Sequence, residues 1–232
     1  MDRVDKNLPV TCNIFYTRFA IIIAMKKLFE AIGAVFIIAA CVILRPLFRP
    51  WYSRWGAIEE ERTMKLPGDE IVPRPRGGYT QAISIWGEAD DVWPWVVQIG
   101  QGKGGFYSYE LLENLVGCNI HNAGRIFPEY QDVKVGDEIV MHPKAPVIPV
   151  VIIESGKTLV GGVSQDEENA NVWIFHIMLK DGLTRLISRW TYKYKPVFLN
   201  KMAYWFLEPI AAVMQRKMLL TIKKLAEANT TS

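Results

Sequence analysis

The chain has 232 residues, half of them hydrophobic, with 8 Trp, 9 Tyr and 10 Phe. This is enough apolar material for a substantial core, and it excludes an intrinsically disordered chain. The net charge of +3 comes without dense basic clusters, so no nucleic-acid partner is expected. Cys12, Cys41 and Cys118 are scattered and never at CxxC spacing, which predicts neither a disulfide framework nor a zinc site.

An apolar run near the start predicts a transmembrane anchor at residues 28–47, after an N-terminal segment at 1–27. Its apolar part just reaches the lower limit of about 17 residues for a spanning helix. Lys26 and Lys27 can snorkel or pair with Glu30 one turn later. A buried or an interfacial helix is the alternative. Aromatic and basic residues typical of an interfacial belt follow the run, namely Arg49, Trp51, Tyr52, Arg54 and Trp55.

Localisation at a membrane through a single pass is therefore expected. Basic residues are balanced on the two sides of the run, so the positive-inside rule does not indicate the side of the folded domain. Residues 48–78 are rich in charges, prolines and glycines and predict a partly extended linker.

The folded domain is predicted at 79–228. Alternation at 79–85 predicts a first strand, and 92–99 and 107–116 predict two short helices separated by glycines. Further strands are predicted at 138–142, 147–153, 158–163, 172–179 and 183–194. In the last strand, Leu186, Ser188, Trp190 and Tyr192 share one face, opposite Arg185, Arg189 and Lys193. This split predicts a sheet with one buried and one solvent-exposed face.

From 200 to 228 apolar residues recur at helical spacing, and Pro209 is expected to kink this helix or separate its first two turns. The recurring residues are Met202, Phe206, Ile210, Met214, Met218, Ile222 and Leu225. This order of elements predicts an α+β fold in which a curved antiparallel sheet wraps around a long C-terminal helix. The space between sheet and helix would form an apolar cavity, the usual form of a small-molecule site.

Several stretches carry a family resemblance: 93–102 (WPWVVQIGQG), 104–109 (GGFYSY), 113–115, 120–123 (IHNA), 135–137, 207–209 (LEP) and 216–219. They resemble bacterial proteins of the SRPBCC (START/Bet v 1-like) superfamily, in its polyketide cyclase/dehydrase-like subgroup. The resemblance covers about residues 66–225, and the membrane segment lies outside it. It implies a helix-grip fold with a deep hydrophobic cavity. Members of this superfamily range from carriers to enzymes, so the fold implies no particular activity.

Two motifs are interpreted without catalytic roles. Gly100, Gly102 and Gly105 match GxGxxG, but a helix precedes them where a dinucleotide site needs a strand. We interpret them as a loop that can serve as a gate at the cavity mouth. Two acids on a short helix, Glu110 and Glu113, are more typical of a solvated face than of metal ligands beside His121. No metal and no other cofactor is predicted.

The candidate catalytic residues are His121, Asn122 and Tyr107, with Tyr109 as an alternative tyrosine. These side chains supply the acid, base and donor that cyclase or dehydratase chemistry needs, although they can equally cap helices and fix a loop. The predicted ligand-binding residues are Phe106, Tyr107, Trp190, Tyr192 and Met214, which are also side-chain types found in plain cores.

The leading functional hypothesis is membrane-anchored binding of a hydrophobic small molecule, such as a lipid, an isoprenoid or a polyketide-like compound. The expected partners are therefore that molecule and the membrane. One alternative is a cyclase, dehydratase or hydrolase that uses His121 and a tyrosine. A second alternative is a structural membrane scaffold whose cavity has collapsed.

Overall fold

The structure, a computed structural model, describes residues 10–166 and 168–230, with side chains from 18 to 228 apart from 167. Residues 1–9 of the predicted N-terminal segment, like residue 167 and residues 231–232, lie outside the described residues. The helices are α1 (Val10–Ile43), α2 (Arg45–Tyr52), α3 (Glu59–Thr63), α4 (Ala89–Val97), α5 (Glu110–Leu115) and α6 (Phe198–Thr230). The strands are β1 (Gly77–Ile85), β2 (Glu138–Ile139), β3 (Ile148–Glu154), β4 (Thr158–Ser164), β5 (Ala170–Lys180) and β6 (Leu183–Lys193).

The six strands form one antiparallel sheet in the order β1-β6-β5-β4-β3-β2. The first and last strands are neighbours, paired from Gly77↔Tyr192 to Ile85↔Thr184. Helices α4 and α5 lie between β1 and β2 in the chain, and the long α6 follows β6. An α+β fold with a six-stranded antiparallel sheet and a long C-terminal helix matches a helix-grip arrangement, so this prediction is confirmed.

One face of the sheet packs against α4 and α6. Successive side chains of a strand point to opposite faces, so Trp173, Phe175 and Ile177 of β5 all point to this side, where they are buried. Side chains of α6 and α4, including Ile222, belong to the same cluster. The Trp173 indole N–H lies 3.0 Å from Oε1 of Gln215, to which it donates, and this bond joins sheet and helix inside the core.

The opposite face of the sheet is also covered. The segment predicted to be a partly extended linker contains α3 and a 3-10 turn (Asp69–Ile71), and it packs on the sheet. Leu66 and Val72 of this segment are buried against Val160, Val172 and Ile187. The sheet face that the sequence predicted to be solvent-exposed is thus covered by this segment. The fold has three layers, which are this segment, the sheet, and helices α4 and α6.

Two arginines of β6 hold this segment in place. Arg185 makes a two-point ion pair with Glu61, both N···O distances being 2.7 Å. Arg189 donates to Oδ2 of Asp69 at 2.5 Å and to the carbonyl oxygen of Glu61 at 2.7 Å. The prediction of a solvent-exposed face at Arg185 and Arg189 was therefore wrong, because acids and carbonyls distant in sequence cover these side chains.

Helix α6 changes character along its length. From Ala212 onward its apolar residues enter the core, where Met218, Leu219 and Ile222 are buried. In the earlier turns Tyr204 stacks on Tyr192 of β6, but Met202, Phe206 and Ile210, which the periodicity assigned to the buried stripe, are exposed. The helix continues past Pro209 without a break, so its first two turns are not a separate piece.

Helices α1 and α2 form a hook around α6. The inner side of α1 carries small residues, and Ala31, Ala34 and Cys41 are buried against the domain. At Leu44 the chain turns by 117° into α2. Tyr52 at the end of α2 is buried too, so the expected interfacial belt does not include it.

Among the described residues, no individual helix combines the length and apolarity needed to cross a membrane. The segment Arg18–Ile43 and α2 reach the required length and apolarity only together, as a strongly bent pair. The sequence predicted that Lys26 or Lys27 would pair with Glu30, but Lys27 pairs with Glu110 at 3.3 Å and Glu30 with Lys217 at 2.8 Å. Lys27 and Glu30 therefore contact the domain instead of one another.

Candidate functional site

Two hollows stand out on the part of the molecule that the structure describes, and both open to solvent. One, of about 400 Å³, lies where the β3–β4 and β5–β6 turns approach the start of α4. The other, of about 250 Å³, lies between α1, α5 and α6 and is called here the α1 groove. Neither is an enclosed space between the sheet and α6, where the aromatic and aliphatic core is packed. Neither of these two hollows is therefore the deep cavity expected between the sheet and α6.

The α1 groove has an apolar floor and a rim of paired charges. Its wall residues come from α1, the segment 107–111, the loop at 122–123 and the later turns of α6. The ion pairs Lys27–Glu110 and Lys217–Glu30 run across its edges, joining α1 to the domain. Its walls include Ala31, Tyr107, Tyr109, Ala123, Thr221 and Leu225. With its charges balanced, the groove favours a ligand that is mainly apolar or carries no net charge.

The three catalytic candidates are neighbours, but their reactive groups do not converge. Oδ1 of Asn122 accepts the backbone N–H of Tyr107 at 2.7 Å, and its amide donates to the carbonyl of Ser108 at 3.1 Å. The Tyr107 hydroxyl points inward and accepts a 2.7 Å hydrogen bond from Gln98. Burial raises the pKa of this phenol, which keeps it protonated. Asn122 and Tyr107 thus act in fixing the loop.

His121 is the exposed member of this group. Its side chain is 79% exposed, and Nδ1 lies 3.5 Å from Oε1 of Glu110. Glu113, the other acid considered as a metal ligand, points into the protein and is buried. His121 and Glu110 therefore lie together while Glu113 points away from them, and no group of three possible metal ligands forms among the described residues.

The predicted ligand-binding residues occupy different places. Phe106 is buried in the main core, and Tyr107 also lines the α1 groove. The rings of Trp190 and Tyr192 are tilted by 45° with centroids 4.7 Å apart, and Tyr192 stacks on Tyr204 of α6 at 4.3 Å. The backbone carbonyl of Met214 accepts a 3.0 Å hydrogen bond from the Ser108 hydroxyl. Only Tyr107 of the five is among the groove residues.

The glycine loop between α4 and α5 is tightly hydrogen bonded. Gly100 and Gly105 exchange backbone hydrogen bonds of 3.0 and 3.1 Å. Gly105 has φ +78°, and a Cβ there would lie 2.6 Å from Oδ1 of Asn122. Glycine is thus required at 105 for close packing against the 121–123 loop, and this packing fixes one end of the groove.

A large apolar surface lies beside the groove, formed by the exposed side chains of α1, of α2 and of the first turns of α6. Phe36 is 71% exposed and Phe198 is 77% exposed. The surface comprises Phe19, Ile22, Met25, Phe29, Ile32, Phe36, Ile43, Leu47, Phe198, Leu199, Met202, Trp205 and Phe206. Soluble monomers rarely expose an apolar area of this extent, so it marks a contact with a membrane or another protein.

Basic residues outnumber acids around this apolar surface, where Glu30 of α1 is paired with Lys217. No Asp or Glu occurs in residues 31–58 or 182–207, whereas Arg54, Lys195 and Lys201 are exposed there. Trp51 and Trp205 are partly exposed at the same end of the molecule, and the Arg45 guanidinium lies 4.7 Å from the Trp205 ring centroid. Basic and indole side chains beside an apolar area are typical of a membrane–water interface.

A buried carboxylate that the sequence reasoning missed joins the hook to α6. Glu208 is fully buried and pairs with Arg45 at 3.0 Å and Arg49 at 2.9 Å. The hydroxyls of Tyr52 and Tyr192 also donate to it. A signal was present, since an acid inside an apolar helix needs a partner and two arginines follow the apolar run of α1.

Comparisons with known proteins give fold-level likenesses only. No family model and no curated protein matches the chain. Among solved structures, protein MLL2253 from Mesorhizobium loti has 14% identity and a TM-score of 0.38, covering 67% of this chain and 99% of its own. The Polyketide_cyc-like protein Cgl2372 from Corynebacterium glutamicum has 14% identity and a TM-score of 0.38, with coverages of 66% and 93%.

A third similar structure is the di-domain ARO/CYC protein StfQ from the steffimycin biosynthetic pathway. It has 12% identity and a TM-score of 0.39, with 67% of this chain and 52% of StfQ covered. Likenesses this distant carry no functional argument. The chain is therefore identified by its own topology, as an α+β protein with a helix-grip arrangement of sheet and C-terminal helix.

Proposed function

We propose that this protein associates with a membrane and binds a hydrophobic small molecule, such as a lipid or isoprenoid, in the α1 groove. The observation that carries the proposal is the position of α1. Its inner edge, at Lys27, Glu30 and Ala31, forms one wall of the groove, and its outer face belongs to the exposed apolar surface. A molecule dissolved in the bilayer would therefore meet the groove without crossing water.

The size of the groove limits what it holds. A volume of about 250 Å³ lies below the range of about 300–1,000 Å³ usual for small-molecule sites. It suits a ring or a segment of an acyl chain, with the rest of the ligand lying along α1. Removing apolar ligand surface from water supplies about 25 cal/mol per Å², which is the expected driving force.

Native mass spectrometry of the detergent-purified protein tests this proposal. We expect a bound lipid-like molecule, and Thr221→Phe, which fills the groove from α6, should reduce its occupancy about tenfold, equivalent to about 1.4 kcal/mol. The matched control is Lys224→Phe, an exposed position one turn later on α6. Absence of any bound molecule in the wild type, or equal occupancy in both variants, would contradict binding in the α1 groove.

A membrane scaffold without a ligand is the second candidate, and the cluster of buried hydrophobic side chains between sheet and α6 favours it. Native mass spectrometry combined with vesicle flotation separates the two functions. A protein that floats with vesicles but never carries a ligand would be a scaffold.

A further inference from the structure

The apolar surface and the hook together constrain how the protein meets the bilayer. Resting on the proposed membrane association, we propose that α1, α2 and the first turns of α6 enter one leaflet as a unit. Helix α1 then lies along the membrane surface and does not span the bilayer. The partner is a lipid leaflet containing anionic headgroups.

The first argument is that α1 is packed on the domain from Glu30 onward, whereas its residues 18–29 are exposed. Ala31, Ala34 and Cys41 are buried, and small residues of this kind allow close contact with α6. The ion pairs Lys217–Glu30 and Lys27–Glu110 lie along the same contact. Spanning would require α1 to leave these partners and take charged side chains into lipid.

The second argument comes from Pro209. Proline has no N–H, so the carbonyl of Trp205, four residues earlier, has lost its usual helical donor. Arg45 donates to that carbonyl at 2.7 Å and also pairs with the buried carboxylate of Glu208. The start of α2, directly after α1, is thus held at one turn of α6. Releasing α1 would leave Glu208 buried with fewer partners.

The third argument is the shape of the apolar surface. In the part of α1 after Glu30, the exposed side chains Ile32, Val35 and Phe36 lie on the outer side, while the inner side faces protein. A spanning helix alone in the bilayer would face lipid on all sides. An interfacial helix buries one face by about 5–10 Å, which matches a helix with one apolar face turned away from its domain. The exposed basic residues Lys195, Lys201 and Arg54 fit anionic headgroups.

Zero-length carbodiimide cross-linking of the wild-type protein, bound to phosphatidylcholine vesicles that contain phosphatidylglycerol, tests this arrangement. We expect cross-linked peptides joining Lys217 to Glu30 and Lys27 to Glu110, at the same yield as in detergent. The internal control is the Lys180–Glu60 pair, which lies wholly within the domain. Loss of both α1 cross-links while the control persists would show that α1 leaves the domain, and would overturn the inference.

A second measurement uses single cysteines at the two ends of the hook. In a background with Cys12, Cys41 and Cys118 replaced, Arg18→Cys and Arg54→Cys should both react with an impermeant maleimide added outside the vesicles. Labelling of only one end would indicate a spanning helix and contradict one-leaflet insertion. Vesicle flotation of the same samples separates the two proposals. Failure to float defeats membrane association itself, whereas floating protein without the cross-links defeats only this inference.

Discussion

Glu113 is a carboxyl group whose surroundings strongly change its chemistry. It is 7% exposed, and Oε2 has no hydrogen-bond partner among the described residues. Burial, with a smaller contribution from Glu110, raises the pKa of this carboxyl from 4.5 to about 7. The native protein therefore keeps a proton here that the unfolded chain releases at lower pH.

The sign of the pH dependence follows from that difference. Between about pH 4.5 and 7 the native state binds more protons than the unfolded state, so the free energy of unfolding falls as pH rises. A shift of this size corresponds to about 3 kcal/mol. We predict that Glu113→Gln abolishes this fall in the free energy of unfolding. The measurement is the difference between the denaturant midpoints below about pH 5 and above about pH 8.

The control for this prediction is Glu129→Gln, an exposed acid in the following loop. It should leave the pH dependence of unfolding unchanged. If Glu113→Gln keeps the wild-type slope, the Glu113 carboxyl is not the group that loses its proton in this range.

At the scale of elements, the segment between α2 and β1 depends on Arg189. This side chain is 5% exposed and donates to Thr80, to Asp69 and to the carbonyls of Glu61 and Met64. Removing Arg189 leaves the partly exposed Asp69 carboxylate and the carbonyls of Glu61 and Met64 without this donor, at a cost of about 1–3 kcal/mol. We predict that Arg189→Met lowers the free energy of unfolding by this amount and exposes residues 59–72 to limited proteolysis.

Arg76→Met is the matched control, since it makes the same change at an exposed position near the end of that segment. Its effect should stay within about 0.5 kcal/mol. Unchanged proteolysis of the Arg189 variant would mean that apolar packing of Leu66 and Val72 holds the segment without the ion pair.

The elements themselves were largely predictable because local patterns specify them. Alternation at 79–85 predicted the strand observed at Gly77–Ile85, and the helical pattern from 200 predicted α6 (Phe198–Thr230). The environments of Arg185 and Arg189 were not predictable, because their acidic partners lie 124 and 120 residues away. Glu208 and Arg49 are separated by 159 residues, so the hook had no local signal either.

The candidate site was harder to predict than the fold. The glycine loop and the proximity of Tyr107 to Asn122 were expected, but the direction of the Tyr107 hydroxyl depends on Gln98. The groove is lined by Lys27 and Ala31 of α1 and by Thr221 of α6. Its existence depends on docking of α1, which no periodicity within the domain indicates. The apolar stripe of α6 also gave no sign that several apolar side chains of its first turns are exposed.

For the whole molecule, the central expectation is that membrane binding depends on the apolar surface. Phe36→Glu combined with Phe198→Glu places charges where we expect lipid, and each buried Phe contributes about 1.5–3 kcal/mol. We predict at least a tenfold loss of vesicle-bound protein in flotation, where tenfold is about 1.4 kcal/mol. Raising the salt concentration should also weaken binding of the wild type, because salt screens the attraction between the basic residues around this surface and anionic headgroups.

Leu179→Glu is the matched control, an exposed apolar residue at the β5–β6 turn, away from the apolar surface. It should float like the wild type. Equal flotation of the double variant would show that the apolar surface meets another protein and not lipid.

The bond network at Glu208 has a consequence for biosynthesis. Arg49 is synthesised 159 residues before its partner Glu208. At common elongation rates of about 5–20 residues per second, this interval lasts about 8–30 s. Throughout that interval the small-residue side of α1 has no helix to pack on. If the nascent chain is delivered to a bilayer, the apolar side chains of α1 are removed from water there. Helix α6 then docks later onto a helix that is already bound to lipid.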